Sequence, residues 1–186
     1  GSPTMSTAIT LRSVLGFVFF VSVACLLFAA QSGLAATDPV AESDEEFPEL
    51  KEINRILEAG QPDGVVFLVT DYDVEAYLWV LPRLQHYVRM MREEWPEVHL
   101  VILSHGDEII SLLEKNEPEY RSFHDNIRRL IATYDVDFQV CGAYAALSGI
   151  DESEFADFVD MVPSAPSQIK DYRQMDYKIV SLEQIW

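Results

Sequence analysis

The chain has 186 residues, with 31 Asp or Glu against 13 Lys or Arg, so its formal net charge at pH 7 is −18. This length suits one domain with flanking segments. A surface this acidic repels phosphate groups, which argues against nucleic acid as a partner and against docking on anionic lipid through basic patches.

The N-terminus has the layout of an export signal. Residues 1–4 read as an expression remnant. A single charge, Arg12, then precedes an apolar run over residues 14–30 and a small-residue segment that ends at Ala35. Residues 5–35 are therefore predicted to be a signal peptide, with the mature protein periplasmic or secreted. A retained anchor that leaves the domain facing the periplasm is the alternative, because the apolar run matches the shortest membrane-spanning helices, ~17 residues.

Residues 36–62 predict an acidic tether followed by a helix. The run Glu42–Glu46 holds nothing that buries a face, which is typical of a flexible linker. From Phe47 to Gly60, apolar residues recur at three- and four-residue steps. This spacing predicts an amphipathic helix that packs on the edge of the domain.

Residues 63–186 predict a domain of alternating strands and helices. Continuous apolar runs are typical of strands buried on both faces, and they occupy residues 65–70, 98–104 and 136–140. Two further strands are predicted at residues 159–162 and 177–182.

Helical spacing predicts helices between these strands. They cover residues 74–95, 108–115, 120–134, the segment after Cys141, residues 151–155, and a helix that starts at Ser164 or Ser167. Pro82 falls inside the first of them and predicts a kink or a division, because proline removes a backbone donor. Glu117 and Pro118 are expected to break the chain before the third helix.

The alternation predicts a three-layer α/β/α fold with a mostly parallel sheet of about five strands. Sites in such folds gather outside the carboxyl ends of the strands. The candidate catalytic residues there are Cys141 and His105, and the candidate pocket residues are Thr70, Asp71, Asp73, Gly106, Gly142 and Ser164. Their meeting is a prediction of the topology, because no sequence spacing shows it.

Cys141 is the only cysteine outside the N-terminal apolar segment, so the processed chain cannot form an intramolecular disulfide. If Cys141 lies in the first turn of the following helix, unpaired N–H groups and the helix dipole favour a reactive thiolate. A small buried hydrophobic side chain is the alternative interpretation. The residues alone leave both open.

The other polar candidates also have structural interpretations. His105 titrates in the working range and suits proton transfer, but a turn histidine fits equally. Asp71 and Asp73 suit helix caps better than catalysis. No Gly-rich phosphate loop follows the first strand, so no nucleotide cofactor is expected.

Several motifs in chain order resemble the DsrE/TusD sulfur-relay superfamily. They are Cys141–Gly142 before a small-residue helix, His105–Gly106 after the second strand, Val162–Ala165 before a helix, and the closing strand Tyr177–Val180. The resemblance covers about Gly64 to Leu182. It implies a doubly wound parallel sheet, assembly into homotrimers or hexamers, and a cysteine that carries sulfur as a persulfide between donor and acceptor proteins. That cysteine maps onto Cys141, and the expected activity is that of a sulfur carrier or sulfurtransferase.

Two other classes of function stay open. A metal-binding protein would use Asp71, His105 and Cys141 as ligands for zinc or copper, but the chain has no paired-ligand motif and no metal site is predicted. A non-catalytic oligomeric module of the same fold would keep Cys141 buried and unreactive.

Overall fold

A computed structural model of the chain describes residues 47–182. They lie in the larger of two units, Ser43–Trp186. The smaller unit, Gly1–Glu42, lies outside the described residues, and so do the predicted remnant, the signal peptide or anchor, and the acidic tether. Within residues 47–182, no helix is both long and apolar enough to span a bilayer.

Five strands form one parallel sheet in the order β4-β3-β2-β1-β5. The strands are β1 Gly64–Val69, β2 His99–Ser104, β3 Val136–Cys141, β4 Asp160–Val162 and β5 Tyr177–Leu182. The predicted five-stranded α/β fold is confirmed. β1, β2 and β3 are neighbours, so their carboxyl ends lie side by side at one edge.

Helices cover both faces of the sheet. They are α1 Pro48–Ala59, α2 Tyr77–Glu94, α3 Glu117–Tyr134, α4 Gly142–Leu147 and α5 Ala165–Gln174. The larger apolar core joins α1, α2 and α3 to one face, whereas a smaller cluster packs α5 against the other. Successive strand residues point to opposite faces, so Val140 belongs to the larger core and Cys141 to the smaller cluster.

Two helices that contain proline differ in part from the prediction. α2 begins at Tyr77, later than predicted, and it continues through Pro82, so the predicted alternative of a division there is wrong. The carbonyl that Pro82 leaves unpaired belongs to Leu78, which is exposed, so water can satisfy it. α3 includes Glu117 and Pro118, because a proline in the first helical turn costs no hydrogen bond. Tyr120 has non-helical backbone angles (φ −106°, ψ 21°), so the predicted interruption is present as a kink at Tyr120 and not as a break at Glu117 and Pro118.

The connection between β2 and α3 also differs from the prediction. The helix expected at residues 108–115 consists of two 3-10 turns, Asp107–Leu112 and Glu114–Asn116. The first turn carries Ile109 and Leu112 into the core and buries Glu108. A buried carboxyl group therefore lies close to the end of β2.

Candidate functional site at the carboxyl edge of the sheet

The chain segments that leave β1 and β2 are joined by two backbone hydrogen bonds. The N–H of His105 donates to the carbonyl of Val69 at 2.9 Å, and the N–H of Asp107 donates to the carbonyl of Asp71 at 2.7 Å. Gly106 lies between these bonds. A Cβ atom there would stand 2.3 Å from the Asp71 carbonyl oxygen, so only glycine permits this approach of two backbones.

The side chain of Glu108 makes hydrogen bonds to the segment after β1 and to the segment after β2. Its side chain is fully buried. Oε2 accepts the N–H of Asp71 at 2.9 Å, while Oε1 accepts the N–H of His105 at 2.9 Å and the hydroxyl of Ser104 at 3.1 Å. The hydroxyl of Tyr77 lies 2.6 Å from Ser104 Oγ. The carboxyl group thus joins β1, β2 and α2 at one point.

Burial raises the pKa of Glu108 to about 7, although the donors from Asp71, Ser104 and His105 act in the opposite direction. Burial, and then the charge on Glu108, also raises the pKa of Tyr77. The sequence interpretation missed Glu108, because it placed the residue at the start of a helix without predicting its burial.

Asp71 and Asp73 form turns before α2. Asp71 Oδ1 accepts the N–H of Asp73 at 2.8 Å, and Asp73 Oδ1 accepts the N–H of Glu75 at 2.9 Å. Because the N-terminal cap of α2 is Ala76, neither carboxylate caps this helix, contrary to the prediction. Thr70 follows β1 and is half-buried.

His105 is half-buried and packs its ring edge-on against Tyr144, with the ring centroids 5.6 Å apart. Within residues 47–182, its buried Nδ1 has no hydrogen-bond partner. Burial lowers the pKa of His105, so the imidazole is neutral at pH 7 and can accept a proton.

Tyr144 connects α4 to the segment after β2. Its hydroxyl donates to Asp107 Oδ1 at 2.7 Å. This hydrogen bond, with burial as the next cause, raises the pKa of Tyr144 to about 12. Tyr144 was missed as a site residue, because its partners follow a different strand.

Cys141 is the last residue of β3 and is fully buried. Its Sγ accepts the N–H of Ala165, the first residue of α5, at 3.2 Å. Ser104 pairs in register with Val140, so Cys141 and the Ser104–Glu108 pair lie on opposite faces of the sheet. The thiol therefore receives its donor from α5, whereas the sequence pointed to the helix that follows it.

Gly142 and Ser164 lie beside Cys141. A Cβ atom on Gly142 would stand 3.0 Å from the Met161 side chain and from the Val162 carbonyl oxygen. The next residue, Ala143, donates its N–H to the Pro163 carbonyl at 3.0 Å. Ser164 is the N-terminal cap residue of α5, although its side chain makes no capping bond.

The predicted residues therefore share one edge but separate into two groups. Direct contacts join the β1 and β2 segments, and Tyr144 is the side chain that ties the β3 segment to them. Among the described residues, no three His, Cys, Asp or Glu side chains are arranged to hold a metal ion. Three surface cavities lie along α2, and none of their lining residues is a predicted site residue.

Comparison with known proteins matches the chain to a family model and to solved structures. The sequence model of the DsrE/DsrF-like family matches residues 64–182. Among solved structures, the chain is similar to the protein of unknown function MTH1491 from Methanobacterium thermoautotrophicum, with a TM-score of 0.52 and 19% identity over 63% of this chain and 97% of that chain. At this identity the likeness shows the fold alone. No curated protein matches the chain.

Proposed function

Because the chain belongs to the DsrE/DsrF-like family, we propose that it is an exported sulfur carrier that holds sulfur as a persulfide on Cys141. The family is associated with sulfur relay in general. The observation that carries the proposal is the setting of Cys141: a free thiol at a strand end whose sulfur receives a backbone N–H. An N–H donor strengthens when its acceptor becomes negative, so this contact favours a sulfur anion.

The proposed transfer conserves atoms and electrons. The Cys141 thiolate attacks the outer sulfur of a donor persulfide, R–S–SH. The bond between the two donor sulfurs breaks, a new S–S bond forms on Cys141, and the donor leaves as a thiolate. In the second step an acceptor thiolate attacks the outer sulfur, and Cys141 leaves as a thiolate. No external oxidant or reductant is needed.

His105 is proposed as the proton acceptor of this edge. Its neutral imidazole follows the neighbouring strand, and its ring contacts Tyr144 in the helix that starts after Cys141. The imidazole could take up the proton released when the Cys141 thiol ionises and pass it on to water, since its lowered pKa disfavours keeping the charge. Six residues are proposed to line the surface that receives the sulfur donor and acceptor. They are Thr70, Asp71, Asp73, Gly106, Gly142 and Ser164.

Location and assembly are part of the proposal. Residues 5–35 support export through a cleaved signal peptide, with a retained anchor as the alternative. The family resemblance supports a homotrimer or hexamer. Sizing the chain from Ala36 onward tests the assembly, and a monomer at micromolar concentration would contradict it.

A second candidate function is a non-catalytic oligomeric module of the same fold. The complete burial of Cys141 favours it, because an inert cysteine packs as a small hydrophobic side chain. The two candidates differ in whether the native protein accepts sulfur.

Intact mass measurement after treatment with polysulfide decides between them. In a chain that begins at Ala36, where Cys141 is the one cysteine, we expect the wild type to gain sulfur and Cys141→Ala to gain none. The loaded protein should then lose its sulfur to an acceptor thiol. Absence of an adduct on folded protein, or an adduct that persists in Cys141→Ala, would refute the carrier function and leave the module.

A further inference from the structure

A cavity of about 410 Å³ lies between α2 and α3, the helices that cover the face of the sheet opposite Cys141. Its polar lining residues are Gln85, His86 and Arg89 of α2 and Arg129, Thr133 and Tyr134 of α3. Among the described residues, no Asp or Glu lines this cavity, although carboxylates outnumber cations by 31 to 13 in the chain. The local charge is therefore opposite in sign to the charge of the whole chain.

The guanidinium group of Arg129 has N–H donors that the fold does not use. One terminal N–H donates to Asn126 Oδ1, three residues earlier in α3. Within residues 47–182 Arg129 makes no ion pair, whereas the neighbouring Arg128 binds Glu117 and Asp157. A guanidinium presents five N–H groups in a planar fork that matches carboxylate and phosphate oxygens. Arg129 can therefore bind an anion that enters the cavity.

Arg89 and His86 add donors from α2. Arg89 Nη2 lies 3.2 Å from His86 Nδ1. Because a guanidinium only donates, Nδ1 accepts, and the proton of the neutral imidazole is on Nε2. That N–H has no hydrogen-bond partner within residues 47–182. Glu93 approaches Arg89 Nε at 3.9 Å, but both side chains are more than half exposed, so this ion pair contributes little.

Arg92, in the next turn of α2, has a different use. Its five N–H groups all donate to backbone carbonyls, which belong to Pro96, Val98, Tyr134 and Asp135. These bonds join α2 to the chain that follows α3, and they leave no donor for a ligand. Arg89 and Arg129 make no such bonds among the described residues, so neither is needed to hold the helices together.

We propose that this cavity binds a small anion with phosphate or carboxylate groups, held by Arg89, Arg129 and the Nε2–H of His86. Hydrogen bonds from guanidinium groups to such oxygens are about twice as strong as bonds between neutral groups. A multiply charged anion gains from both arginines, whereas the net charge of −18 repels it elsewhere on the surface. The cavity is separate from Cys141, so the proposal does not depend on the sulfur-carrier function.

Two sources can supply this chemistry: a free anion, or carboxylates of the chain itself. Phe47, the first described residue, lines an adjacent cavity that shares Pro82 and His86 with the first one. The residues that precede Phe47 are Asp44, Glu45 and Glu46. Their carboxylates have the same chemistry as a free ligand, so the experiment has to separate the two sources.

The test is the rate at which phenylglyoxal modifies individual arginines of the full chain, with and without inorganic phosphate at constant ionic strength, read by peptide mass mapping. Phenylglyoxal reacts with accessible guanidinium groups, and a bound anion covers them. Arg121 is the internal control, because it is exposed on α3 and does not line the cavity. We expect phosphate to slow the modification of Arg89 and Arg129 several-fold, with saturation, and to leave Arg121 unchanged.

Arg129→Ala and Arg121→Ala are the matched variants, since each removes an exposed cation from α3. Loss of Arg129 should raise the phosphate concentration that half-protects Arg89 by about tenfold. Arg121→Ala should leave that concentration unchanged. Equal slowing of all three arginines in the wild type, or equal half-protection in the two variants, would overturn the proposal.

The triple variant Asp44→Asn, Glu45→Gln, Glu46→Gln decides the source of the anion. If carboxylates of the chain occupy the cavity, Arg89 and Arg129 should react several-fold faster in this variant than in the wild type without phosphate. If a free anion is the ligand, the two proteins should react alike, and phosphate should protect both. Absence of protection in both proteins, with or without phosphate, would refute the site.

Discussion

The two ends of the sheet each carry a carboxylate that binds across strands, and they differ in burial. At the carboxyl end, Glu108 is buried and accepts two backbone N–H groups. At the amino end, Asp137 is half exposed and contacts His99 Nε2 at 2.8 Å, while Tyr177 contacts His99 Nδ1 at 2.7 Å. Water competes for the second set of contacts and is excluded from the first.

Each end also contains a glycine that makes room for its contacts, and the neighbours of the two glycines differ. Gly106 stands against backbone atoms of Asp71, which cannot move without disturbing the sheet. Gly64 stands beneath the ring of Tyr177, a partly exposed side chain that can shift more easily than backbone, although its contact with His99 would weaken. A Cβ atom would be equally crowded at both glycines, but a substitution at Gly106 should be more destabilising, because backbone atoms can move less than a side chain.

The largest effect is expected from Gly106→Ala. Its Cβ would lie 2.3 Å from the Asp71 carbonyl oxygen and 2.4 Å from Glu108 Oε2, so the two segments must separate. We expect the free energy of unfolding to fall by about 3 kcal/mol or more, measured by denaturant titration. Gly64→Ala is the matched control and should cost about 1–2 kcal/mol, since only Tyr177 must move. Equal losses for the two variants would show that the edges do not differ.

The next largest effect is expected from Glu108, whose titration should make the free energy of unfolding depend on pH. Its pKa is about 7 in the folded protein against 4.5 for the free group, so the folded chain keeps a proton that the unfolded chain has lost between these values. The contribution to the free energy of unfolding is full below pH 4.5 and disappears as the pH rises through about 7. It amounts to at most ~3 kcal/mol.

Glu108→Gln should remove this component, so the difference in stability between wild type and variant should shrink as the pH rises. Denaturant titrations at a series of pH values would measure it. A difference that stays constant over this range would mean that Glu108 is ionised throughout.

The smallest effect is expected at the amino end. Asp137→Asn leaves an amide that can still hydrogen-bond to His99, and the pair is exposed to solvent, with side-chain exposures of 39% for His99 and 51% for Asp137. We expect a change of less than about 0.5 kcal/mol at neutral pH, measured by the same denaturant titration. A loss comparable to that of Gly106→Ala would remove the distinction between the two ends.

The strands were predictable from the sequence because β1, β2 and β3 are local apolar runs that need no partner to be recognised. β5 has the predicted bounds, and β2, β3 and β4 differ by one residue at one end. Helix starts were less predictable, since the beginning of α2 at Tyr77 depends on the turns made by Asp71 and Asp73. The 3-10 turn at Glu108 packs against α3, where His124 Nε2 lies 2.8 Å from the carbonyl oxygen of Ser111, and local spacing does not encode this tertiary contact.

The candidate site was predictable only in part. His105 and Cys141 were found because each ends a strand, a position that the sequence shows directly. Glu108 and Tyr144 were missed because their partners lie far away in the chain, at Asp71 and Asp107 respectively. Their roles arise when neighbouring strands bring these segments together.

The sequence by itself determined the α/β fold, the family resemblance and the single cysteine of the domain, because apolar runs, spacings and counts are local properties. The tertiary structure decided that Cys141 is buried on one face of the sheet while Glu108 is buried on the other. Burial sets the protonation of a carboxyl group and the access to a thiol, and burial depends on which strands are neighbours. That order exists only in the folded chain.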